Sequence, residues 1–471
     1  MSREFDGALI DGRWVRIEGR NRVENPADAS TVGWCGSGTP ADVDAAVEAA
    51  RRAAGTWARI NPQERADRLD ALVDALRRRR DELVDVTVAE VGAPVSVARE
   101  SHVDLAIEIF ESAARNARAF RFEEELGSSL LVRQPAGVVA AITPWNYPLY
   151  QLAAKVGPAL AAGCTVLLKP AELAPLSAHQ FAQAVLDAGL PAGVVNLVPG
   201  GGSVVGAALA AHPDVDLVSF TGSTGVGRHV AAAAAANLAR VSLELGGKSA
   251  SIVCPGADLG SAVRATVDSA MLNSGQTCSA WTRLLVPHDE LEAALSIAAE
   301  HCSRLVVGDP RSEDTDLGPL ISSAQRDAVR AVIESARRRG ARLVTGGTAS
   351  PRGLGQGYYL PPTVLADLPV SDPASQEEIF GPVLVVHGYD TVDEAVQTAN
   401  GTAYGLSGAV FAADEPTAMH VARQLETGQV DVNGAPFNVD APFGGWKASG
   451  IGRELGPVGL EEYTQLTSIQ R

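Results

Sequence analysis

A regular alternation between residues 137 and 244 constrains the fold of this chain more than any other feature. Short apolar runs alternate with helical segments, in the order GVVAAIT, YQLAAKVGPALAAG, CTVLLKP, LSAHQFAQAVLDAGL, VVNLVPG, GSVVGAALAA, VDLVSF, STGVGRHVAAAAAA and VSLEL. Near-continuous apolar strands joined by helical crossovers indicate a parallel sheet that is covered on both faces. We therefore predict five strands with four intervening helices, and we expect ligands at the carboxyl ends of the strands.

Two other regions flank this alternation. The first third of the chain is typical of amphipathic helices, with Pro62 in a first turn and Gly92 as a C-terminal cap. Beyond residue 278, the runs RLLVP, PVLVVHGYD and GAVFA alternate with helical segments and predict a second α/β domain. At 471 residues the chain is too long for one ordinary core, so we expect two or three domains.

The charge of the chain excludes several kinds of partner. The formal net charge is −17, which disfavours attraction to phosphate backbones and to anionic lipid. No apolar run reaches the ~18–20 residues needed to cross a bilayer, and the opening MSREFDGALIDGRW lacks the features of a secretion signal. We expect a cytoplasmic protein that binds neither nucleic acid nor membranes.

The five cysteines, at positions 35, 164, 254, 278 and 302, include no CxxC pair. This spacing fits neither a disulfide framework nor a zinc ribbon, and we expect no metal. Cys164 and Cys254 lie in apolar runs where a buried structural thiol is expected. Cys278 lies in the loop-like segment NSGQTCSA, where packing, metal ligation and nucleophilic attack all stay open.

Two glycine-rich turns follow predicted strands. TGSTGVG, residues 221–227, opens a helix whose N-terminus offers free backbone N–H groups to a phosphate. PGGGSVVG contains Gly200, Gly202 and Gly206 in a looser spacing. Neither matches GxGxxG, so an ordinary tight turn is an equally open interpretation of each.

The loop after CTVLL contains KPAE, which places Lys169 and Glu172 at the mouth of the same sheet. The lysine suits hydroxyl or phosphate groups, and the glutamate suits ribose hydroxyls. A carboxylate there repels a 2′-phosphate, which favours NAD over NADP. The alternative is an exposed ion pair that caps the next helix.

Two more polar residues follow strands of this sheet. Asn146 in PWNYP is an uncharged donor that is able to stabilise an oxyanion. Glu244 lies among apolar neighbours before GGK, where burial would raise its pKa and suit it to act as a general base. Taken singly, each is also consistent with a structural hydrogen bond in a turn.

With these residues in place, the chain resembles the aldehyde dehydrogenase superfamily over nearly all of its length. The motifs that carry the resemblance are PWNYP, AGCTVLLKPAE, FTGST, LELGGK, GQTC, EEIFGPV, YGLSGAVF and PFGGWKASGIGRE, in the family's order and approximate spacing. The C-terminal half is also similar to bacterial members thought to oxidise ω-oxo acids and other hydrophobic aldehydes. The resemblance implies oxidation of an aldehyde to the acid with NAD as coenzyme, and NADP stays possible.

The resemblance also assigns chemical roles. Cys278 becomes the nucleophile that forms a thiohemiacetal, the Asn146 amide and the Cys278 N–H hold the oxyanion, and Glu244 activates water to cleave the thioester. Lys169 is counted with these catalytic residues and also contacts the ribose. The implied cofactor contacts are Ile142, Thr143, Pro144, Trp145, Lys169, Glu172, Gly202, Gly206, Phe220, Gly222, Ser223, Leu245, Gly246, Glu378 and Phe380.

The predicted substrate tunnel is mostly aromatic with some polar atoms. Its residues are Tyr147, Tyr150, Gln151, Thr277, Ser279, Phe437 and Phe443, and Trp281 either lines the tunnel or faces away from it. Two rival functions stay open: a CoA-acylating dehydrogenase, which typically lacks the carboxylate of LELGGK, and a catalytically silent NAD-binding protein on the same fold.

The implied fold class is α/β. It has a Rossmann-type parallel-sheet cofactor domain formed by residues 1–116 and 136–246, and an α/β catalytic domain formed by residues 247–446. A small β oligomerisation extension comprises residues 117–135 and 447–471. FEEELGSSLLVRQPAG and the tail LEEYTQLTSIQR contain β-type runs that would be exposed edge strands alone. We therefore expect a homodimer or a homotetramer assembled through this extension.

Overall fold

The computed structural model describes residues 3–471 of the chain. Its strands are β1 (Arg3–Phe5), β2 (Gly7–Ile10), β3 (Arg13–Arg16), β4 (Gly19–Glu24), β5 (Thr31–Ser37), β6 (Glu123–Leu126), β7 (Ser129–Pro135), β8 (Val138–Ile142), β9 (Thr165–Lys169), β10 (Val195–Leu197), β11 (Leu217–Thr221), β12 (Arg240–Glu244), β13 (Ala250–Val253), β14 (Arg283–Pro287), β15 (Arg342–Thr345), β16 (Thr363–Ala366), β17 (Val383–Tyr389), β18 (Tyr404–Gly405), β19 (Gly408–Phe411), β20 (Asp431–Val432), β21 (Trp446–Lys447), β22 (Gly450–Ile451) and β23 (Thr464–Gln470).

The helices fall between these strands. They are α1 (Pro40–Arg59), α2 (Pro62–Arg78), α3 (Arg80–Val91), α4 (Val95–Val97), α5 (Leu105–Ala119), α6 (Pro148–Ala162), α7 (Leu176–Asp187), α8 (Ala207–Ala210), α9 (Thr224–Ala235), α10 (Leu259–Met271), α11 (Leu291–Arg304), α12 (Ser323–Arg338), α13 (Pro373–Gln376), α14 (Val392–Asn400), α15 (Glu415–Ala422) and α16 (Gly456–Glu462). Ala98–Asp104 and Gly202–Gly206 are π-helical, and Leu272–Gly275 and His288–Glu290 are 3₁₀ turns.

The alternation between residues 137 and 244 forms the predicted parallel sheet. Its five strands lie in the order β12-β11-β8-β9-β10 and are parallel throughout. The antiparallel strands β2 and β3 extend one edge, and β22 extends the other, which gives eight strands in all. The sequence-based prediction of five strands with four intervening helices is confirmed.

Burial explains why the sequences of these strands are continuous apolar runs. Every residue of β8, β9 and β11 is buried, because helices cover both faces of the sheet. Helix α6 is buried at all 15 of its positions, since it lies between the sheet and α5. It ends at Gly163, whose φ of 97° places it in the left-handed region that glycine adopts without steric cost.

The helices of the first third also follow the sequence-based prediction. Pro62 is the first residue of α2 behind the Asn61 cap, and Gly92 ends α3 in a left-handed conformation. The run RRRR at residues 77–80 spans the junction of two helices, because α2 ends at Arg78 and α3 begins at Arg80. Among the described residues, no helix combines the length and the apolar character needed to cross a bilayer.

A second sheet holds seven strands in the order β15-β16-β17-β14-β13-β19-β20. All of its neighbouring pairs are parallel except β15 with β16. Its faces are covered by separate apolar clusters, which include residues of α10 and α11 on one side and of α14 and α15 on the other. This is the second α/β region that the sequence predicts.

A third, small sheet has the order β23-β7-β6 and joins two distant parts of the chain. Residues 447–463, which the sequence-based division places in the β extension, do not lie in this sheet. Strand β22 instead pairs with β12 of the eight-stranded sheet, and α16 packs on α5 and α6. Only residues 464–470 of the C-terminal part pair with β7.

Candidate active site

Cys278 lies just after a short left-handed turn that leads out of α10. Asn273, Ser274 and Gly275 have φ angles of 52°, 59° and 75°, a conformation that non-glycine residues rarely adopt. A Cβ at Gly275 would lie 2.2 Å from the carbonyl oxygen of Gly381, so only glycine fits there. Such strain persists only where the surroundings hold it, and it concentrates at functional sites.

Four hydrogen bonds hold this turn. The Asn273 side chain donates to the carbonyl oxygen of Asn146 at 2.9 Å, and the Ser274 hydroxyl donates to that of Gly318 at 2.8 Å. The Gln276 amide nitrogen donates to the Asn273 carbonyl at 3.2 Å, while its oxygen accepts from the Ile321 N–H at 2.9 Å. The position of Cys278 is therefore fixed by contacts on both sides of the turn.

Asn146 follows β8 at the carboxyl edge of the parallel sheet. Its side-chain nitrogen donates to the carbonyl oxygen of Gln276 at 3.0 Å, which holds the amide against the segment that carries Cys278. An amide nitrogen has two hydrogens, and this bond uses one of them. The predicted proximity of Asn146 and Cys278 is thus present.

Glu244 ends β12 and is 2% exposed. Neither of its carboxylate oxygens has a hydrogen-bond partner among the described residues. A Cβ at Gly444 would lie 2.6 Å from one of these oxygens, so the glycine in PFGGWK makes room for the carboxylate. Burial, and then the charge of Glu454, raises the pKa of Glu244 well above its ordinary value.

Cys278 is the one cysteine of the five that is not fully buried as a residue, and it faces two cavities. Burial of its thiol, and then the nearby carboxylates of Glu378 and Glu244, raise its pKa to about 12. The resting side chain is therefore a thiol at neutral pH. A base is needed to generate the nucleophilic thiolate.

The first cavity, the cofactor cleft, has a volume of about 400 Å³ and opens beside Cys278. Eight residues of the sequence-based cofactor set line it: Pro144, Trp145, Gly222, Ser223, Leu245, Gly246, Glu378 and Phe380. The sequence reasoning missed five further wall residues, which are Thr221, Gln325, Ala328, Val332 and Ile379. Thr221 is the first residue of the predicted turn TGSTGVG and Ile379 lies in the motif EEIFGPV, whereas nothing in the sequence singled out the face of α12 that supplies Gln325, Ala328 and Val332.

Glu378 and Phe380 define one wall of the cofactor cleft. The Glu378 carboxylate accepts from the Gly247 N–H at 3.0 Å, and burial raises its pKa to about 7. A Cβ at Gly246 would lie 2.5 Å from the same carboxylate. Phe380 has a φ of 56°, and its ring meets that of Trp145 edge-on at 5.2 Å between centroids.

The remaining predicted cofactor residues lie next to the cleft and do not line this cavity. Three of them lie at the ends of β8 and β11. Ile142 is in register with Lys169, and Thr143 donates its N–H to the Lys169 carbonyl at 3.1 Å. The Phe220 ring packs against Gly222. Gly206 lies beside the Lys169 side chain, and Gly202 begins the adjoining π-helix, where no atom lies within 4 Å of the position of its Cβ.

Lys169 ends β9 and Glu172 follows it at the same edge of the sheet. The Lys169 ammonium donates to the Pro170 carbonyl at 2.8 Å, and burial lowers its pKa to about 8 while Glu172 opposes the shift. Glu172 itself is exposed, and its carboxylate lies 3.2 Å from where a Cβ of Gly201 would be. These contacts bring the KPAE loop and the PGGGSVVG loop together.

The second cavity, the substrate cavity, has a volume of about 250 Å³ and lies on the other side of Cys278. All seven predicted tunnel residues line it: Tyr147, Tyr150, Gln151, Thr277, Ser279, Phe437 and Phe443. Trp281 lines it as well, so it does not face away. The sequence reasoning missed Ser101, Leu105, Ser269, Leu272, Ser407, Gln429 and Asp431.

A buried ion pair behind Glu244 was also missed. The Lys155 ammonium pairs with the Glu454 carboxylate, and both side chains are almost fully buried. The charge of Lys155 lowers the pKa of Glu244, whereas that of Glu454 raises it. A lone lysine in the otherwise apolar helix YQLAAKVGPALAAG was the available signal, since such a charge is buried only when it is paired.

Comparison with known proteins gives one consistent result. A sequence profile described as "Aldehyde dehydrogenase family" matches residues 14–469. A 3-succinoylsemialdehyde-pyridine dehydrogenase from a Pseudomonas species is 46% identical over 470 residues, which cover 99% of this chain and 98% of the relative.

Solved structures agree with this match. Aldehyde dehydrogenase C from Pseudomonas syringae, a mutant in complex with NAD+ and octanal, has a TM-score of 0.98 and 46% identity over 99% of this chain and 96% of its own. A Mycobacterium tuberculosis aldehyde dehydrogenase in complex with NAD+ also has a TM-score of 0.98, with 40% identity over 100% of this chain and 99% of its own.

Proposed function

Because the chain belongs to the aldehyde dehydrogenase family and is an NAD-dependent aldehyde dehydrogenase, we propose that it oxidises its aldehyde through a covalent intermediate on Cys278. The observation that carries this proposal is the position of Cys278 at the junction of the cofactor cleft and the substrate cavity. An aldehyde in one cavity and a coenzyme in the other would meet at its sulfur.

The first step is attack of the Cys278 sulfur on the aldehyde carbon, with the thiol proton passing to a base. Solvent water takes this proton, which leaves the Glu244 carboxylate, whose oxygens have no hydrogen-bond partner among the described residues, available as the base in hydrolysis. The carbonyl π electrons move to oxygen, and the Asn146 amide and the Cys278 N–H would hold the resulting oxyanion. The product of this step is a thiohemiacetal.

The cofactor cleft fits a dinucleotide. Helix α9 begins behind Ser223 and presents its free N–H groups, and no atom lies within 4 Å of a Cβ built at Gly225, so a pyrophosphate could approach closely. Glu378 keeps acceptor capacity for ribose hydroxyls beyond its bond from Gly247. When bound, NAD accepts the hydride that the thiohemiacetal carbon loses as the thioester forms.

The last step is hydrolysis of the thioester on Cys278. Glu244 takes a proton from water, the water oxygen adds to the acyl carbon, and the carbon–sulfur bond breaks with its electron pair on sulfur. The acid leaves and the thiol is restored by a proton. Its dry surroundings keep Glu244 weakly acidic, so its carboxylate is a stronger base than an exposed one.

Water is the acyl acceptor that these residues support best. The carboxylate of LELGGK, which CoA-acylating members typically lack, is present as Glu244. A silent NAD-binding protein would be expected to lose Cys278, Glu244 or Asn146, and all three are present and close together. The test is NADH formation at 340 nm across aliphatic, aromatic and ω-carboxy aldehydes, with the acid identified by mass spectrometry. A product that appears only with CoA or phosphate would overturn the assignment of water.

Glu172 should make NAD the preferred coenzyme, because its exposed carboxylate would repel a 2′-phosphate. Glu172→Gln removes the charge with little change in size, and we expect the preference in kcat/KM to shift towards NADP by about tenfold. Steady-state kinetics with both coenzymes measures this ratio. Equal kcat/KM for NAD and NADP in the wild type would contradict the role of Glu172.

We also propose that the enzyme is a homodimer or a homotetramer that assembles through the small sheet β23-β7-β6. Both edge strands lack a further partner among the described residues. Leu126 and Leu466 are exposed by 63% and 60%, an unusual state for apolar side chains on a sheet edge. A symmetric dimer would cover such an edge on both copies.

Deletion of residues 463–471 should reduce the oligomer to a smaller species, as measured by light scattering. Because this deletion removes the buried Tyr463, a second variant, Leu466→Glu, tests the exposed surface alone. An unchanged mass for both variants would show that the tail does not take part in assembly.

We also propose that the enzyme is located in the cytoplasm. All five cysteines are free thiols, and a cysteine nucleophile functions only when reduced.

A further inference from the structure

The segment 429–432, whose last two residues form β20, presents two chemically different sides. Gln429 and Asp431 face the substrate cavity, whereas Val430 and Val432 pack against an apolar cluster of the second sheet. The sequence QVDV therefore alternates between the cavity and the apolar cluster. The cavity thereby receives a carboxylate and an amide from one short segment.

Asp431 is half-buried and is the only acidic or basic side chain in the cavity wall among the described residues, apart from the thiol and the phenols. One of its oxygens accepts from the Gln429 amide at 3.0 Å, and Asp431 forms no ion pair with the described residues. Burial raises its pKa above the ordinary value, with the Gln429 bond acting against the shift. The negative charge of Asp431 therefore has no positive partner among the described residues in a partly dry site. A bound cation would provide that partner.

Aromatic rings form much of the remaining wall. Tyr147, Tyr150, Trp281, Phe437 and Phe443 line the same cavity, and the rings of Tyr150, Phe437 and Phe443 form a contiguous series. Aromatic faces carry negative potential and attract cations, above all when water is excluded. Among the residues that the structure describes, the wall contains no lysine, arginine or histidine that could pair with a carboxylate on the substrate.

We propose that the aldehyde oxidised by this enzyme carries a cationic nitrogen at the end remote from its carbonyl group, and that Asp431 is the residue that selects it. This inference rests on the proposed function and names the substrate class of the same site. It also implies that aldehydes with a terminal carboxylate are poor substrates, because Asp431 and the aromatic faces repel their charge.

The wild-type enzyme provides the first test. The substrates are ω-(trimethylammonio)alkanals of increasing chain length, each with its uncharged isostere, the ω-tert-butyl alkanal, and with an ω-carboxy aldehyde of similar length. We expect kcat/KM at the best length to be about tenfold higher for the cation than for its isostere, and lowest for the carboxylate. Equal or better turnover of the isostere or the carboxylate would overturn the proposal.

The variant Asp431→Asn tests whether Asp431 causes the preference for the cationic aldehyde. Asparagine keeps the shape of the side chain and can still accept a hydrogen bond from Gln429. We expect the ratio of kcat/KM for cation over isostere to fall about tenfold in this variant, mainly through KM. Asp393→Asn is the matched control, because it removes the same charge from an exposed position on α14. An unchanged ratio in Asp431→Asn would overturn the role of Asp431. If the asparagine variant does not fold, Asp431→Ser is measured in its place.

Calorimetry with unreactive alcohols separates this inference from the proposed mechanism. The ω-(trimethylammonio)alkanols and their tert-butyl isosteres bind without chemistry. Tighter binding of the cation to the wild type, but not to Asp431→Asn, supports the selection by Asp431 even if no aldehyde in the panel is oxidised. Equal binding of both alcohols to the wild type overturns it even if aldehydes are oxidised well.

Discussion

Replacement of Cys278 with alanine is expected to lower kcat/KM for aldehyde oxidation by about 10⁴-fold or more. The variant keeps both cavities but cannot form the bond to the aldehyde carbon from which the hydride is lost. NAD binding, measured by calorimetry, should stay close to that of the wild type, because the residues that line the cofactor cleft, apart from Cys278, are contributed by other segments. NADH formation at 340 nm measures the loss.

Cys302→Ala is the matched control for this prediction. Cys302 is buried in α11 among apolar residues and lines neither cavity, so its loss should cost about 1 kcal/mol of stability and leave turnover intact. Dehydrogenase turnover near the wild-type rate in Cys278→Ala would contradict the covalent mechanism. Loss of NAD binding in that variant would assign Cys278 a structural role instead.

Glu244→Gln should give an initial burst of NADH and then a steady rate that is lower by about 10²- to 10⁴-fold. The amide cannot take a proton from the water that cleaves the thioester, so the acyl-enzyme should accumulate and be detectable by mass spectrometry. A uniformly slow reaction without an acyl-enzyme would show that Glu244 acts before the thioester forms.

The pH profile gives a second measure of Glu244. Burial raises its pKa, so the carboxylate that acts as a base is populated only as pH rises through that raised value. The wild-type deacylation rate should therefore rise with pH, and Glu244→Gln should lose this dependence. Glu90→Gln is the control, because this buried glutamate accepts from the N–H groups of Leu176 and Ser177, far along the chain from the site, and its loss should affect stability without producing a burst.

Much of the site could be predicted because its residues follow strands of one parallel sheet. Lys169 and Glu244 end β9 and β12, and Asn146 and Ser223 lie in the loops after β8 and β11. The carboxyl ends of these parallel strands meet at one edge. The seven predicted tunnel residues were also found together. These residues came from short motifs whose order along the chain the resemblance had matched.

The residues that were missed come from segments without such motifs. Gln325, Ala328 and Val332 lie on a regular amphipathic helix, and only its packing shows that one side meets the cofactor cleft. Lys155 and Glu454 are about 300 positions apart and pair only in the folded chain. Asp431 lies in a short strand whose cavity-facing side depends on its pairing with β19.

The sequence by itself determined the alternating strands and helices, the apolar strands of a sheet covered on both faces, and the loops that carry the reactive residues. These follow from local periodicity and from turn chemistry, which act over a few residues. Tertiary structure decided that Cys278 faces two cavities, that Gly444 leaves room for the Glu244 carboxylate, and that β22 pairs with β12 of the eight-stranded sheet. Each of these depends on contacts between distant segments, which a local pattern does not specify.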